Sequence, residues 1–225
     1  PVAGAVLENF PQEVEAAVSV CKYMAFGPLY NGSVRFKDYA VMADSLFFQT
    51  LGIEVLRGDP LHELQQKDVV FLSDRLAQKM FGDEDPVGKV INYDKQLQLT
   101  VKGIYAALPE NSTMNPEAVI SIVSAWSRDW AEYSWEGGDS FFQYIRFRPG
   151  VKVDIEKFNA RLETVIHNYL PQNGKDNSSY TSIVKPLRDV YRSGDMVKRM
   201  NAITLILGLA ILFIAAMNYV LISIS

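Results

Sequence analysis

The 225-residue chain carries 22 Lys and Arg against 26 Asp and Glu, a net charge of −4, with an isoelectric point near 5.3. That balance leaves no basic footprint of the kind needed to neutralise phosphates, which excludes nucleic acid as a partner. Cys21 is the sole cysteine, so no disulfide can form within this sequence, and it reads as a small apolar strand residue rather than a nucleophile. Residues 1–20 hold Glu8, Glu13 and Glu15 and no basic leader region, so any export of the soluble part rests on an upstream segment. The start at Pro1 and the stop inside an apolar run read as cuts in a longer protein.

In chain order, residues 3–10 suit the tail of a helix ended by Pro11. Val14, Ala16, Val18 and Val20 alternate as a half-buried strand, the turn cluster at 26–33 follows, and residues 34–42 return as its hairpin partner. Asp44 caps a short helix over 45–51 that Gly52 ends, and 53–56 is a short strand. A second unit opens at Asp68: strand 69–72, Ser73 as the cap of a helix to Phe81, and Gly82 as its terminator. Residues 89–93 and 97–105 form a hairpin in which Leu97, Leu99, Val101 and Tyr105 face one way and Gln98, Thr100 and Lys102 the other. Residues 119–123 read as a buried strand. Helix 125–133 puts Trp126, Trp130 and Tyr133 on one face, followed by Trp135 and a break at 137–138. Residues 141–148 alternate as a strand. Helix 153–169 is amphipathic, with Ile155, Phe158, Leu162, Val165, Ile166 and Tyr169 on its stripe. Residues 180–187 suit a closing strand.

The expected fold class is α+β. Two β-α-β units, one over 34–56 and one over 141–187, make a split ferredoxin-like, porter-like domain from residues 1–60 and 140–190, with an α/β subdomain inserted at 61–139. A linker, 191–201, leads to the last stretch. Residues 202–225 contain no charged side chain and reach about 36 Å as a helix, enough to cross a hydrocarbon core of about 30 Å. The side chains of six Ile, five Leu, Phe213 and Val220 sum to roughly −4 to −8 kcal/mol of insertion free energy before Asn218 and the serines subtract. Gly208, Ala215 and Ala216 permit close helix packing there, and Asn218 is a candidate interhelical hydrogen-bonding group.

No motif for chemistry survives inspection. Gly82 to Gly88 followed by Lys89 has one residue too many for a phosphate-binding loop, Val90 where Ser or Thr is needed, and Asp83, Glu84 and Asp85 to repel phosphate. The same acids lack the spacing of a calcium loop. His62 and His167 have no partner at metal-ligand spacing, and no nucleophile, base and acid set can be nominated. No catalytic, metal or cofactor-binding residue is therefore expected. Sequons at Asn31, Asn111 and Asn177 fall where turns are expected, and turn chemistry accounts for them. The aromatic group Trp126, Trp130, Tyr133 and Trp135 is the candidate partner contact, since large aromatics anchor interfaces, although aromatics at helical spacing more often pack into a core.

The ordered set Ala43-Asp-Ser-Leu-Phe-Phe48, Val55-Leu-Arg-Gly-Asp59, Val70-Phe-Leu-Ser-Asp-Arg-Leu-Ala-Gln-Lys-Met-Phe-Gly82, Asp85-Pro-Val-Gly-Lys89, Thr100-Val-Lys-Gly-Ile104 and Pro109-Glu-Asn-Ser112 resembles the extracytoplasmic core domain of MacB-type and FtsX-type ABC transporter permeases. Val184-Lys-Pro-Leu-Arg-Asp-Val-Tyr191 looks like the same family, particularly its Bacteroidetes-like members. Thr113 departs from the many relatives with His after the Asn-Ser pair. The resemblance implies a permease subunit of the bacterial inner membrane, with one membrane helix upstream of Pro1, the soluble part in the periplasm, and the next helix at 202. It also implies a second permease subunit, a cytoplasmic ABC ATPase on a separate or fused domain, and a periplasmic adaptor or outer-membrane partner. The implied mechanism relays ATP-driven closure through the membrane helices to the periplasmic domain, with no ATP handled by this segment. Lys198 and Arg199 before the apolar run point the other way by the positive-inside tendency, a rule with little force for large domains. A second reading stays open on the residues alone: a ligand-binding extracytoplasmic sensor of a membrane signalling protein.

Overall fold

The computed structural model describes residues 1–21, 27–109, 111–112, 114–131, 135, 141–170, 183–193 and 195–224. Two compact units result, residues 1–182 and residues 183–225. In the first, α1 (Val2–Asn9) precedes β1 (Val14–Cys21), β2 (Leu29–Asn31), β3 (Val34–Phe36) and β4 (Ala40–Ala43). Then come α2 (Phe47–Leu51), β5 (Val55–Arg57), α3 (Pro60–Glu63), β6 (Val69–Ser73) and α4 (Asp74–Phe81). The unit closes with β7 (Val90–Tyr93), β8 (Leu97–Tyr105), β9 (Ala118–Ser121), α5 (Val123–Trp126), β10 (Phe141–Phe147) and α6 (Ile155–Tyr169). The second unit holds α7 (Leu187–Ser193) and α8 (Asp195–Ile224).

Among the described residues, ten strands share one mixed sheet in the order β10-β1-β4-β9-β6-β8-β7-β2-β3, with β5 on β8. The β4–β9 and β6–β8 pairs are parallel and the others antiparallel. Every residue of β4, β6 and β9 is buried, which is why these strands read as unbroken apolar runs rather than alternating ones. Alternation decides which face each side chain serves. Ala40, Met42, Val70, Leu72, Ala118 and Ile120 join the core under α4, whereas Val41, Ala43, Val69, Phe71 and Val119 join Phe47 and Phe48 of α2.

The caps follow the sequence. Ser73 Oγ accepts the Leu76 N–H at 2.9 Å, and Gly52 ends α2 at φ 68°, where a side chain would be strained. Asp44 sits two residues ahead of the observed cap: the N-cap of α2 is Leu46, and the Asp44 carboxylate accepts the N–H groups of Leu46 and Ser19, each at 3.0 Å.

Several expectations change. The expected hairpin partner of β1 splits in two: β4 does pair with β1, at Val20↔Ala43 and Cys21↔Met42, while the β2–β3 hairpin departs to the far edge and pairs with β7. On β8 a register shift skips Lys102, so that Val70 faces Val101 but Phe71 faces Gly103. The bulge reverses the alternation. Ile104 therefore continues the Leu97, Leu99, Val101 face, and Tyr105 goes to the opposite core beside Phe48, with ring centroids 5.1 Å apart. Helix 125–133 shrinks to the single turn of α5, because Asp129 adopts φ 55° and ends it. Of the expected strand 180–187, residues 183–186 lie in no strand and Leu187 opens α7; residues 180–182, the loop 172–179 and the break at 137–138 lie outside the described residues. Within the expected linker 191–201, residues 191–193 belong to α7 and 195–201 to α8.

Candidate interaction sites

In the second unit, α8 runs 30 residues, about 45 Å at ~1.5 Å per residue. Its stretch Ala202–Val220 has mean hydropathy 2.3 and no buried residue, the pattern of a helix whose solvent is lipid. Asp195 to Asn201 add about two further helical turns ahead of the span. Gly208 and Ala215, seven residues apart, share one stripe, with Ala216 and Asn218 flanking it at ~100° per residue. A Cβ at Gly208 would meet open space.

In the first unit, the aromatic segment is tied to the sheet. Trp126 and Trp130 are half-buried and pack against the core under α4. Arg128 between them pairs with Asp68, Nη1 to Oδ1 at 2.8 Å, and lies 5.8 Å from the Trp130 ring. Asp68, held at φ 62°, donates its N–H to Ser124 Oγ at 2.8 Å. Trp135 stacks on Tyr169 of α6 with centroids 5.0 Å apart. The structure thus brings Trp126 and Trp130 to one core and Trp135 to α6, while Tyr133 lies outside the described residues. Asp68 and Arg128 were missed in the sequence; their 60-residue separation leaves no local signal.

The motif residues converge on the β5–β8 crossing. A Cβ at Gly103 would stand 2.1 Å from Phe71 Cε1 and 2.5 Å from the Arg57 carbonyl oxygen. Gly58, at φ 95°, approaches as closely: its Cβ would stand 2.5 Å from the Lys102 oxygen. Glycine at both positions lets β5 lie on β8 over the Phe71 ring. Just beyond, Arg57 grips Asp85 with two bonds of 2.8 and 2.9 Å, and Lys89 pairs with Glu84. Two of the loop's three acids, Glu84 and Asp85, are thereby matched by cations of its own fold. On the neighbouring corner, Glu117 accepts from Ser73 Oγ and from Arg75, whose Nε stands at 2.9 Å, and Asp74 accepts the Ala107 N–H at 3.0 Å. His62 is exposed on α3 and bonded to Asp59 at 2.6 Å.

The Arg57 hydrogen bond, helped by the Val87 N–H, holds the Asp85 carboxyl below its usual range, and Lys89 does the same for Glu84. A depressed folded-state value means that the unfolded chain binds more protons in acid, so this contribution is present above the ordinary carboxylate range and is lost as pH falls through the folded values. Asp85→Asn is therefore expected to lower the urea midpoint at neutral pH, with the gap from the parent closing as pH drops below the usual carboxylate range. A gap independent of pH would show that the ion pair is not its origin.

Against β1, α1 packs beside α6 through Phe10 and Phe158, 4.7 Å between centroids. Arg161 lies 5.3 Å from the Phe10 ring and bonds Glu13 at 2.6 Å. Between α1 and the sheet is a cavity of about 240 Å³ lined by Gly4, Leu7, Ala17, Asp44 and Trp126 among others. Burial pushes the Asp44 carboxyl up, opposed by its two backbone N–H donors.

A wide α+β sheet unit followed in the chain by a candidate membrane helix has the makeup of a membrane-attached domain. A family profile, MacB-like periplasmic core domain, matches residues 1–165, and the chain belongs to that family: it is the periplasmic core domain of a MacB-like ABC transporter permease. No curated protein gives a significant match. Among solved structures, a domain of a protein named as a permease from Porphyromonas gingivalis is similar at TM-score 0.64 and 22% identity, covering 86% of this chain and 85% of that one. The periplasmic region of MacB from Actinobacillus actinomycetemcomitans follows at 0.55 and 15%, covering 74% and 73%. The extracellular domain of the noncanonic ABC-type transporter YknZ from Gram-positive bacteria stands at 0.53 and 12%, covering 74% and 80%. At these identities the likeness is one of fold.

Proposed function

We propose that this chain is the periplasmic, force-receiving part of an inner-membrane permease that couples cytoplasmic ATP hydrolysis to a conformational change outside the membrane, in efflux, lipoprotein transport or another envelope process. The family match over residues 1–165 carries the reading, and the 30-residue helix α8 supports it, since about 45 Å of helix exceeds a hydrocarbon core of about 30 Å. A helix that merely anchors needs only the apolar span; the charged turns continuing from it suit transmission. In this reading a membrane helix precedes Pro1, the ATPase is a cytoplasmic subunit or fused domain, and a second permease subunit completes a dimer. Gly208, Ala215, Ala216 and Asn218 supply the membrane packing face.

A periplasmic adaptor or outer-membrane protein is the expected outer partner, with the solvent-facing sides of Trp126, Trp130 and Trp135 as its candidate contact. The porter-like part, 1–60 with 140–190, would meet the inserted part, 61–139, along the β4–β9 pair, with β5 and the β2–β3 hairpin reaching across. The family match favours this reading over the sensor.

Location is tested by placing a cysteine at exposed Ser33, with buried Cys21 giving little background. In cells whose outer membrane alone is permeabilised, a membrane-impermeant maleimide is expected to label Ser33→Cys fully. Labelling that appears only after inner-membrane lysis would place the domain in the cytoplasm and end the proposal.

A further inference from the structure

The stretch that leads into the apolar span differs from the rest of the chain in charge. Residues 183–201 carry five basic side chains, Lys185, Arg188, Arg192, Lys198 and Arg199, against the acids Asp189 and Asp195, in a chain whose net charge is −4. It also differs in what it leaves open. Pro186 starts α7, its carbonyl accepting the N–H groups of Asp189 and Val190 at 2.9 and 3.2 Å. At ~100° per residue Leu187 and Val190 fall on one side of that helix, and Arg188 and Asp189 on the other. Leu187 is 55% exposed, Val190 50%, and Ile183 just ahead of the helix 60%. Three large apolar side chains so open to solvent in one short charged segment mark a contact surface.

Position says what meets it. α7 ends at Ser193 and α8 opens at Asp195, and the two helices pack on each other. The turns of α8 ahead of Ala202, where the span begins, rise about 10 Å, against a headgroup layer about 5–8 Å deep on each side of the bilayer. The apolar side of α7 is therefore carried to the surface of the bilayer that α8 enters. Charge agrees, because clustered Lys and Arg beside a span are drawn to anionic lipid. The Arg188 to Asp189 pair, Nε to Oδ1 at 3.6 Å and largely exposed, is too weak to keep the guanidinium from a phosphate.

We infer that α7 is a short amphipathic foot on the membrane surface, with Leu187 and Val190 set into the headgroup layer and Lys185 and Arg188 on the phosphates of anionic phospholipids. This goes beyond the transmission reading and rests only on α8 spanning a bilayer.

The test places single nitroxide labels on the full-length permease in nanodiscs of phosphatidylcholine alone or of phosphatidylcholine mixed with phosphatidylglycerol. Cys21 is buried, so the labels go to Leu187→Cys and Asp189→Cys on the two sides of α7 and to Leu212→Cys in the span. In the mixed discs the Leu187 label is expected to collide more with oxygen, which concentrates in lipid, than with a water-soluble nickel chelate, and the Asp189 label to show the reverse. A Leu187 label shielded from both reagents would mean that protein covers α7, the sheet unit or a second copy, and one as open to nickel as the Asp189 label would mean that lipid does not; either result overturns the inference. Each basic side chain at an anionic surface strengthens attachment about fivefold. Adding Arg188→Gln should therefore raise the nickel-accessible fraction of the Leu187 label about fivefold in the mixed discs and leave it unchanged in phosphatidylcholine. An equal change in both would overturn the assignment to anionic headgroups. A Leu212 label open to nickel would overturn the spanning reading and the inference together, whereas a lipid-buried Leu212 label beside a water-exposed Leu187 label overturns the inference alone.

Discussion

Gly103→Val is expected to cost about 3 kcal/mol or more, the upper end of what overpacking a core does. The new Cβ would stand 2.1 Å from the Phe71 ring and 2.5 Å from the Arg57 carbonyl oxygen. Neither can retreat easily. Phe71 is fully buried and already packed on Phe48, 5.4 Å between centroids, and the second contact is backbone of the paired strand β5. Relief requires pulling β5 from β8, which also withdraws Arg57 from Asp85. For a domain of this size the melting temperature is expected to fall by roughly 6–12 °C. Gly82→Ala is the contrast in origin: the space is open, and the cost is the backbone strain of φ 59° with ψ −125°, about 1–3 kcal/mol. A Gly103→Val protein melting within a degree or two of the parent would mean that β5 does not lie this close to β8.

Replacing Trp126 and Trp130 together by Ala is the second large effect. Fully buried Trp→Ala costs about 3–5 kcal/mol; these two are half-buried on the core under α4, and they flank the same Arg128, so their losses do not add fully. About 3–4 kcal/mol for the pair follows, roughly a 10 °C drop in thermal unfolding. Unchanged stability with lost partner binding would instead make them a pure contact patch. Trp135, seated on Tyr169 and remote from that core in its contacts, is expected to cost about 1 kcal/mol alone.

Local signals were legible in the sequence because they act over a few residues. Ser73 and Gly82 bound α4 as their chemistry requires, Asp94 to Gln96 turn the β7–β8 hairpin, and the Phe158, Leu162, Ile166 stripe buries α6. Long-range choices were not. Nothing near Leu29 says that its strand pairs with Tyr93 rather than with β1, and nothing near Lys102 says that the strand bulges there; that is set by Gly103 meeting Phe71 from another strand. The motif glycines were visible as letters, but their reason, a crossing of β5 on β8, exists only in three dimensions. The aromatic group was visible too, yet its division between one core and α6 depends on Asp129 ending the helix early. Asp is enriched at positive φ, but most Asp residues do not adopt it, so Asp129 by its letter alone does not mark the end of the helix.

The proposed transmission from the membrane helix to the sheet unit is tested by one insertion. A flexible stretch of about a dozen Gly and Ser residues, placed between residues 189 and 200, behaves as a random coil and cannot carry torque or thrust. In the full-length permease with its ATPase in nanodiscs, ATP is expected to alter hydrogen exchange in the sheet unit of the parent protein. With the insertion, that ATP-dependent change should vanish while ATP hydrolysis continues. An insertion that leaves the change in the sheet unit intact would contradict transmission through α8.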